Sequence, residues 1–130
     1  MAEDLFEAAK SAMAKAYAPY SRFPVGAALR TTDGAVHAGC NIENASYPEG
    51  WCAETTALGH LIMGGGGKVA EVAVVAEKME RIMPCGGCRQ RLSEFVTEDA
   101  VLHLCTMEGV VESVPFSSIF PRGFDLEQNR

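Results

Sequence analysis

Long apolar runs are missing from this chain of 130 residues, and so is any run of Lys and Arg. The longest apolar stretches are short and interrupted, so nothing approaches the ~20 residues of a membrane-spanning helix. Lys and Arg total 11 against 17 Asp and Glu, a net charge of −6. A protein that grips a phosphate backbone needs a basic face to displace counterions, so a nucleic-acid polymer is excluded as partner. A neutral small molecule is not. Met1-Ala2-Glu3-Asp4 is acidic where a secretory leader begins basic, which makes a cytoplasmic protein the expectation. The four glycines Gly64 to Gly67 lack the Lys-Ser/Thr that completes a phosphate-binding loop, and read instead as a mobile helix end and linker. Even pairing of cysteine is absent too: the chain has five. In a reducing compartment they suit metal ligation and spare buried thiols better than disulfides.

What is present is the balance of a globular protein, 48% hydrophobic and 22% charged. The length fits one domain over residues 1–130, with an apolar load that suits an oligomer. Residues 3–17 predict an amphipathic helix, with Leu5, Ala9, Ala12 and Ala16 on one stripe, ended before Pro19. Segments 24–31 and 35–42 predict strands around the tight turn Thr32-Asp33-Gly34. A helix follows over 52–63 with Leu58, Leu61 and Ile62 inward, then a strand over 69–76 covered on both faces. Pro84 introduces a helix over 85–96, burying Cys88, Leu92, Phe95 and Val96. Strands at 100–106 and 110–114 and one helical turn at 117–120 complete the pattern. Helices interleaved with strands in this order predict an α/β fold, one mixed sheet of about five strands with helices on both faces.

Two segments carry chemistry: Cys52-Ala53-Glu54 and Pro84-Cys85-Gly86-Gly87-Cys88. Each falls at a predicted helix start, where unpaired amides and the positive dipole end favour thiolates. Cys85 and Cys88, three apart, face the same way on a first turn. Three thiolates fill three corners of a zinc tetrahedron. A structural zinc site would want a fourth protein ligand, and His37, His60 and His103 show no ligand-like spacing. Three ligands leave the fourth position open to water, which is the catalytic arrangement. Glu54, two residues from a ligand, is then placed to move protons at that open position. Zinc deaminases of cytosine share this signature in outline.

Other residues have plain readings. Phe23 is a strand-end core residue, Asn41 and Asn44 turn formers, and Glu43 a solvated charge. Tyr47-Pro48 closes a loop. Cys40 and Cys105 are buried inert thiols.

Taken with Phe23-Pro-Val-Gly-Ala-Ala-Leu29, Asn41-Ile-Glu-Asn-Ala-Ser-Tyr-Pro48 and Pro84-Cys-Gly-Gly-Cys-Arg-Gln90, Cys52-Ala-Glu54 resembles the small, homotetrameric type of cytidine deaminase, from Tyr20 through Phe124. The resemblance implies that fold, a three-layer sandwich, and hydrolysis of cytidine and deoxycytidine to uridine and deoxyuridine in pyrimidine salvage. It implies one zinc ion per subunit on Cys52, Cys85 and Cys88, with Glu54 as proton shuttle. Phe23 would pack on the pyrimidine, and Asn41 and Glu43 would bond the ribose hydroxyls. Ala45, Tyr47 and Phe124 would reach into a neighbouring subunit's site.

One position departs from the family. Many relatives carry arginine after the catalytic Glu, where this chain has Thr55. Zinc with three thiolates carries net −1, so something must offset it. Thr55 offers a hydroxyl and Arg89 a cation, and Thr55→Arg is expected to change turnover while leaving zinc bound. Competing readings are a deaminase of another cytosine-type substrate and a non-catalytic zinc module. The second gives Glu54 no role. A nucleotide substrate would want a basic residue beside Asn41 and Glu43, and Cys40 to Glu54 contains none.

Overall fold

The computed structural model describes residues 2–126. Helix α1 (Ala2–Met13) precedes a hairpin of β1 (Val25–Thr31) and β2 (Val36–Cys40). Then come a 3-10 turn (Tyr47–Glu49), α2 (Ala53–Met63), β3 (Val69–Ala76) and α3 (Gly86–Ser93). Strands β4 (Val96–Thr106) and β5 (Gly109–Pro115) and the short α4 (Phe116–Ile119) follow. The five strands form one sheet in the order β2-β1-β3-β4-β5. Only β3 and β4 run parallel, because α3 crosses between them, so the sheet is mixed as expected.

Side chains alternate across this sheet, and both faces are covered. On one face Ala28, Ala73, Val75 and Cys105 pack with Leu5, Phe6, Ala9 and Met13 of α1. On the other, Leu29, Val72, Val74, Leu102 and Leu104 pack with Ala57, Leu58 and Leu61 of α2 and Leu92 of α3. The strand expected to be covered on both faces is β3, at the expected bounds.

Three element readings need correction. Helix α1 stops at Met13, not 17, and buries Leu5, Phe6, Ala9 and Met13 rather than a stripe through Ala12 and Ala16. Beyond Met13 the backbone tightens to three-residue bonds, and Tyr17 then donates its N–H to Asn41 O at 3.0 Å and bridges Ile42. Strand-like pairing has displaced the last helical turn. Helix α3 ends at Ser93, and Val96 begins β4 instead of continuing the helix, since Val69 N–H is taken by Phe95 O at 2.9 Å. Ile62 is 52% exposed and does not join the core.

Turn chemistry follows the residues. Gly34 has φ 92° in the β1–β2 turn, where Asp33 accepts from the Thr31 hydroxyl and the Ala35 amide. Gly66 N–H closes α2 onto Leu61 O at 2.8 Å, and Gly65, Gly66 and Gly67 all have positive φ. The glycine run is therefore a helix stop that side chains would strain. No helix among the described residues is long and apolar enough to cross a membrane.

Candidate active site

Cys52 and Cys85 are the N-cap residues of α2 and α3, so each helix begins immediately after a thiol. Their carbonyls accept the first helical bonds, from Thr56 N–H at 3.1 Å and Arg89 N–H at 2.9 Å. Both helices lie on the same sheet face, and this brings their starts together. The sulfurs of Cys52, Cys85 and Cys88 all lie within 4.8 Å of one another, and Cys52 Sγ is 4.0 Å from Cys85 Sγ. Sulfurs bound at ~2.3 Å to a tetrahedral zinc stand about 3.8 Å apart, so the cluster fits the ion with little adjustment. No histidine joins it among the described residues. His60 Nδ1 is bonded to Ala38 O, and His103 lies between Ser113 and Glu71.

The three thiols differ in environment. Cys85 is exposed, Cys52 half-buried and Cys88 fully buried. A hydrogen bond from Cys88 lowers the pKa of Cys52, and the same bond, with burial and the nearby Glu54 charge, raises that of Cys88. Cys88 Sγ also lies 3.8 Å from Thr55 Oγ1 and accepts from Arg91 Nη1 at 3.8 Å.

Glu54, in the first turn of α2, is only 5% exposed. Burial raises its pKa, opposed by its own backbone amide, by Cys88 and by the charge of Arg91. A buried carboxyl whose proton affinity is raised, in one cleft with two of the three sulfurs, suits proton transfer.

A cleft of about 300 Å³ opens at this point, lined by Val25, Asn41, Ile42, Glu43, Tyr47, Gly50, Trp51, Cys52, Ala53, Glu54, Ile82, Met83 and Cys85. A second hollow of about 250 Å³ shares Glu43, Tyr47 and Gly50 with it and adds Tyr20, Ser21 and Asn44. Cys52, Cys85, Glu54, Asn41, Glu43 and Tyr47 thus meet in one place. The Asn41 side chain donates to Phe23 O and accepts from Val25 N–H, both at 2.9 Å, and so fixes the strand entry beside the cleft. Glu43 Oε1 accepts from the amides of Tyr20 and Ser21 at 2.9 and 3.1 Å, and its Oε2 from the Ser21 hydroxyl. Those bonds hold its pKa below the ordinary carboxylate value.

Three expected substrate residues do not line the cleft of the single chain. Phe23 is not in its lining, although its carbonyl accepts from Asn41, and Ala45 is exposed on the loop after Asn44, whose side chain accepts from Ser46 N–H. Phe124 borders a separate hollow of about 880 Å³ with Lys68, Ser93 and Arg122. Gln90 fastens it there, donating to Phe124 O at 3.0 Å and accepting from its N–H at 2.9 Å. Arg89 does not face the sulfurs. It donates to Pro84 O and Ile119 O. Arg91 is the cation that does, a residue the sequence reading passed over although its i+3 spacing from Cys88 signals it.

Residues 1–104 match the model of the cytidine and deoxycytidylate deaminase zinc-binding region. The chain belongs to the cytidine and deoxycytidylate deaminase family. The cytidine deaminase of Halalkalibacterium halodurans is 42% identical over 95% of this chain and 93% of its own. That of Sporosarcina psychrophila is 39% identical over 96% and 92%. In structure, the cytidine deaminase of Burkholderia pseudomallei superposes with a TM-score of 0.86 at 46% identity, covering 93% of this chain and 97% of that one. The Mycobacterium tuberculosis enzyme gives 0.84 at 38%, over 95% and 96%. The mixed sheet with helices on both faces is the fold of these proteins, and zinc is the ion the family's matching region binds.

Proposed function

We propose that this protein is a zinc-dependent cytidine deaminase, one domain over residues 1–130, that converts cytidine and deoxycytidine to uridine and deoxyuridine with release of ammonia. The observation that carries the reading is the buried Glu54 carboxyl in one cleft with Cys52 and Cys85, beside Cys88 in a three-sulfur cluster.

When bound by Cys52, Cys85 and Cys88, zinc supplies Lewis acidity at a fourth position open to water. Glu54 takes the proton released as water oxygen adds to C4 of the cytosine ring, and delivers it to the ring nitrogen N3. It then carries the proton of the new hydroxyl to the amine, which leaves as ammonia while the C4 carbonyl forms. Water and cytidine are consumed, uridine and ammonia produced, and Glu54 ends as it began. Burial of Glu54 supports this role by keeping the carboxyl's proton affinity high.

Asn41 and Glu43 border the cleft beside Tyr47, which supports ribose recognition, and the described residues that line the cleft include no Lys or Arg, which favours an uncharged nucleoside over a nucleotide. Phe23, whose carbonyl accepts from the cleft residue Asn41, is the ring proposed to pack on the pyrimidine in the assembled enzyme. Tyr47 is 74% and Phe124 63% exposed, as rings would be that complete a neighbour's site in a homotetramer, with Ala45 beside them. The free thiols suit a reducing, cytoplasmic compartment, and pyrimidine salvage is the matching process.

A panel of cytidine, deoxycytidine, cytosine, deoxycytidylate and adenosine, read by ammonia release, tests the assignment. Turnover is expected on the first two. Activity on cytosine or adenosine alone would overturn it.

A further inference from the structure

Cys88 differs from the other two sulfurs in having no contact with water. It is 0% exposed, whereas Cys85 is exposed and Cys52 half-buried. A thiolate at Cys85 or Cys52 can be hydrated from the cleft, but one at Cys88 depends on donors from the protein. Two are at hand, each 3.8 Å from Cys88 Sγ: the Thr55 hydroxyl from α2 and the Arg91 guanidinium from α3. Of these only Arg91 brings charge.

The local sequence makes room for that guanidinium. A Cβ at Gly87 would lie 3.2 Å from Arg91 Nη1, so a side chain at position 87 would crowd the cation as it folds back along α3. Arg89, on the next position after Cys88, is held by Pro84 O at 2.8 Å and Ile119 O at 3.1 Å, and its charge is directed at those two backbone carbonyls. Position 55, the other place from which a cation could reach Cys88, holds a neutral side chain.

We infer that Arg91 is a positioning residue of the metal centre, which stabilises the buried Cys88 thiolate by charge and so holds zinc and tempers the electron donation of its ligands, with Thr55 as a neutral second donor. This rests on the three-thiolate reading of the site. Arg91 does not touch substrate and takes no part in proton transfer. Its guanidinium is always charged, so the contribution persists across the working pH range. Hydrogen bonds to ionised groups are worth more than neutral ones, but Arg91 is itself exposed and shares its charge with solvent, so the effect sits at the lower end.

The test is a series at position 91 measured on the zinc-loaded full chain. Arg91→Lys, Arg91→Met and Arg91→Glu are compared with the parent for the rate of zinc transfer to a chromogenic chelator. The same proteins loaded with cobalt(II) are compared for the energy of the thiolate-to-metal charge-transfer band. The expected order of zinc loss, slowest to fastest, is parent, Lys, Met, Glu, with Met faster than the parent by about tenfold. The charge-transfer band moves to lower energy in the same order, because an unscreened thiolate donates more readily. A merely structural role at an exposed helical position would not order either readout by charge. Thr55→Arg in the Arg91→Met background is expected to slow zinc loss again by returning a cation to the same sulfur. Equal rates with an unmoved band in all variants would overturn the role of Arg91. A parent that binds no stoichiometric zinc and shows no cobalt–thiolate band would overturn the metal site itself, a separate outcome.

Discussion

Gly39 on β2 lies so close to α2 that a Cβ placed there would sit 2.4 Å from the Ala57 amide nitrogen and 2.8 Å from Ala53 O. The contact is backbone against backbone, so no flexible side chain can yield. It sets the height of α2 above the sheet, and Cys52 and Glu54 are carried by the first turn of that helix. Gly39→Ala is expected to push α2 outward, destabilising the fold by about 1–3 kcal/mol. Urea denaturation should show a lower midpoint with an unchanged slope. Zinc affinity should fall as well, because Cys52 moves with the helix while Cys85 and Cys88 do not.

Glu54 separates an enzyme from a zinc module. Glu54→Gln keeps the shape and burial of the side chain but removes its capacity to carry a proton. Zinc content and melting temperature should match the parent, and kcat should fall about 10²–10⁴-fold, the range for loss of a general acid–base. Metal analysis beside ammonia release decides it. Full retention of turnover would leave Glu54 without a catalytic part.

Removal of the metal should loosen the fold, because the cluster ties the start of α2 to the start of α3. At zinc a hundredfold above Kd the ion adds about 2.7 kcal/mol, so chelation should lower Tm by roughly 10 °C. Cys88→Ser is the control: its melting curve should be the same with and without chelator. Differential scanning calorimetry provides the comparison.

Much of this was legible in the sequence, for a physical reason. Apolar periodicity records burial, so β3 and the two faces of the sheet were readable from Val69 to Ala76. Cysteine at helix starts records metal chemistry, and the cluster formed where it was expected. What escaped was set by partners distant in sequence. The C-terminal turn of α1 was lost to the bridge between Tyr17 and Ile42, residues that no local pattern joins. Arg89 looked like the cation of the site, but the carbonyl of Ile119, 30 residues away, took it. Phe124 was placed by its likeness to a family, and Gln90 holds it outside the cleft of its own chain.

A polar chain crosses the α1 face of the sheet and predicts acid sensitivity. Glu71 Oε1 accepts from His103 Nε2 at 2.9 Å and its Oε2 from Arg30 Nε at 2.9 Å, while Arg30 also reaches Asp4 at 2.7 Å. Burial pushes the Glu71 pKa up, but the bonds from His103 and Arg30 outweigh it and leave the value lowered. A carboxyl with a lowered folded pKa contributes stability above its unfolded value and loses it as pH falls through the folded one. Glu71 is therefore expected to stabilise the protein at neutral pH by about 1 kcal/mol, the scale of a partly screened ion pair. That contribution should fade below about pH 4.3. Thermal melts of the parent and Glu71→Gln at pH 7 and at pH 3.5 check it: a difference at the first should shrink at the second. A difference that grew on acidification would reverse the sign.

The proposed sharing of sites between subunits makes a prediction that no single chain can satisfy. If Phe124 completes a neighbour's cleft, Phe124→Ala should impair turnover although its ring lies outside the cleft of its own subunit. Glu54→Gln and Phe124→Ala assemblies should each be weak. Mixed, dissociated and reassembled, they form hybrids in which some sites join an intact Glu54 from one subunit to an intact Phe124 from another. Those sites are complete, so the mixture should exceed the sum of its parents in ammonia release. The gain should be absent when the two populations are mixed without dissociation, since subunits then stay with their own kind. Failure to gain after verified reassembly would mean that each cleft is finished by its own chain, and the exposed Tyr47 and Phe124 rings would need another purpose.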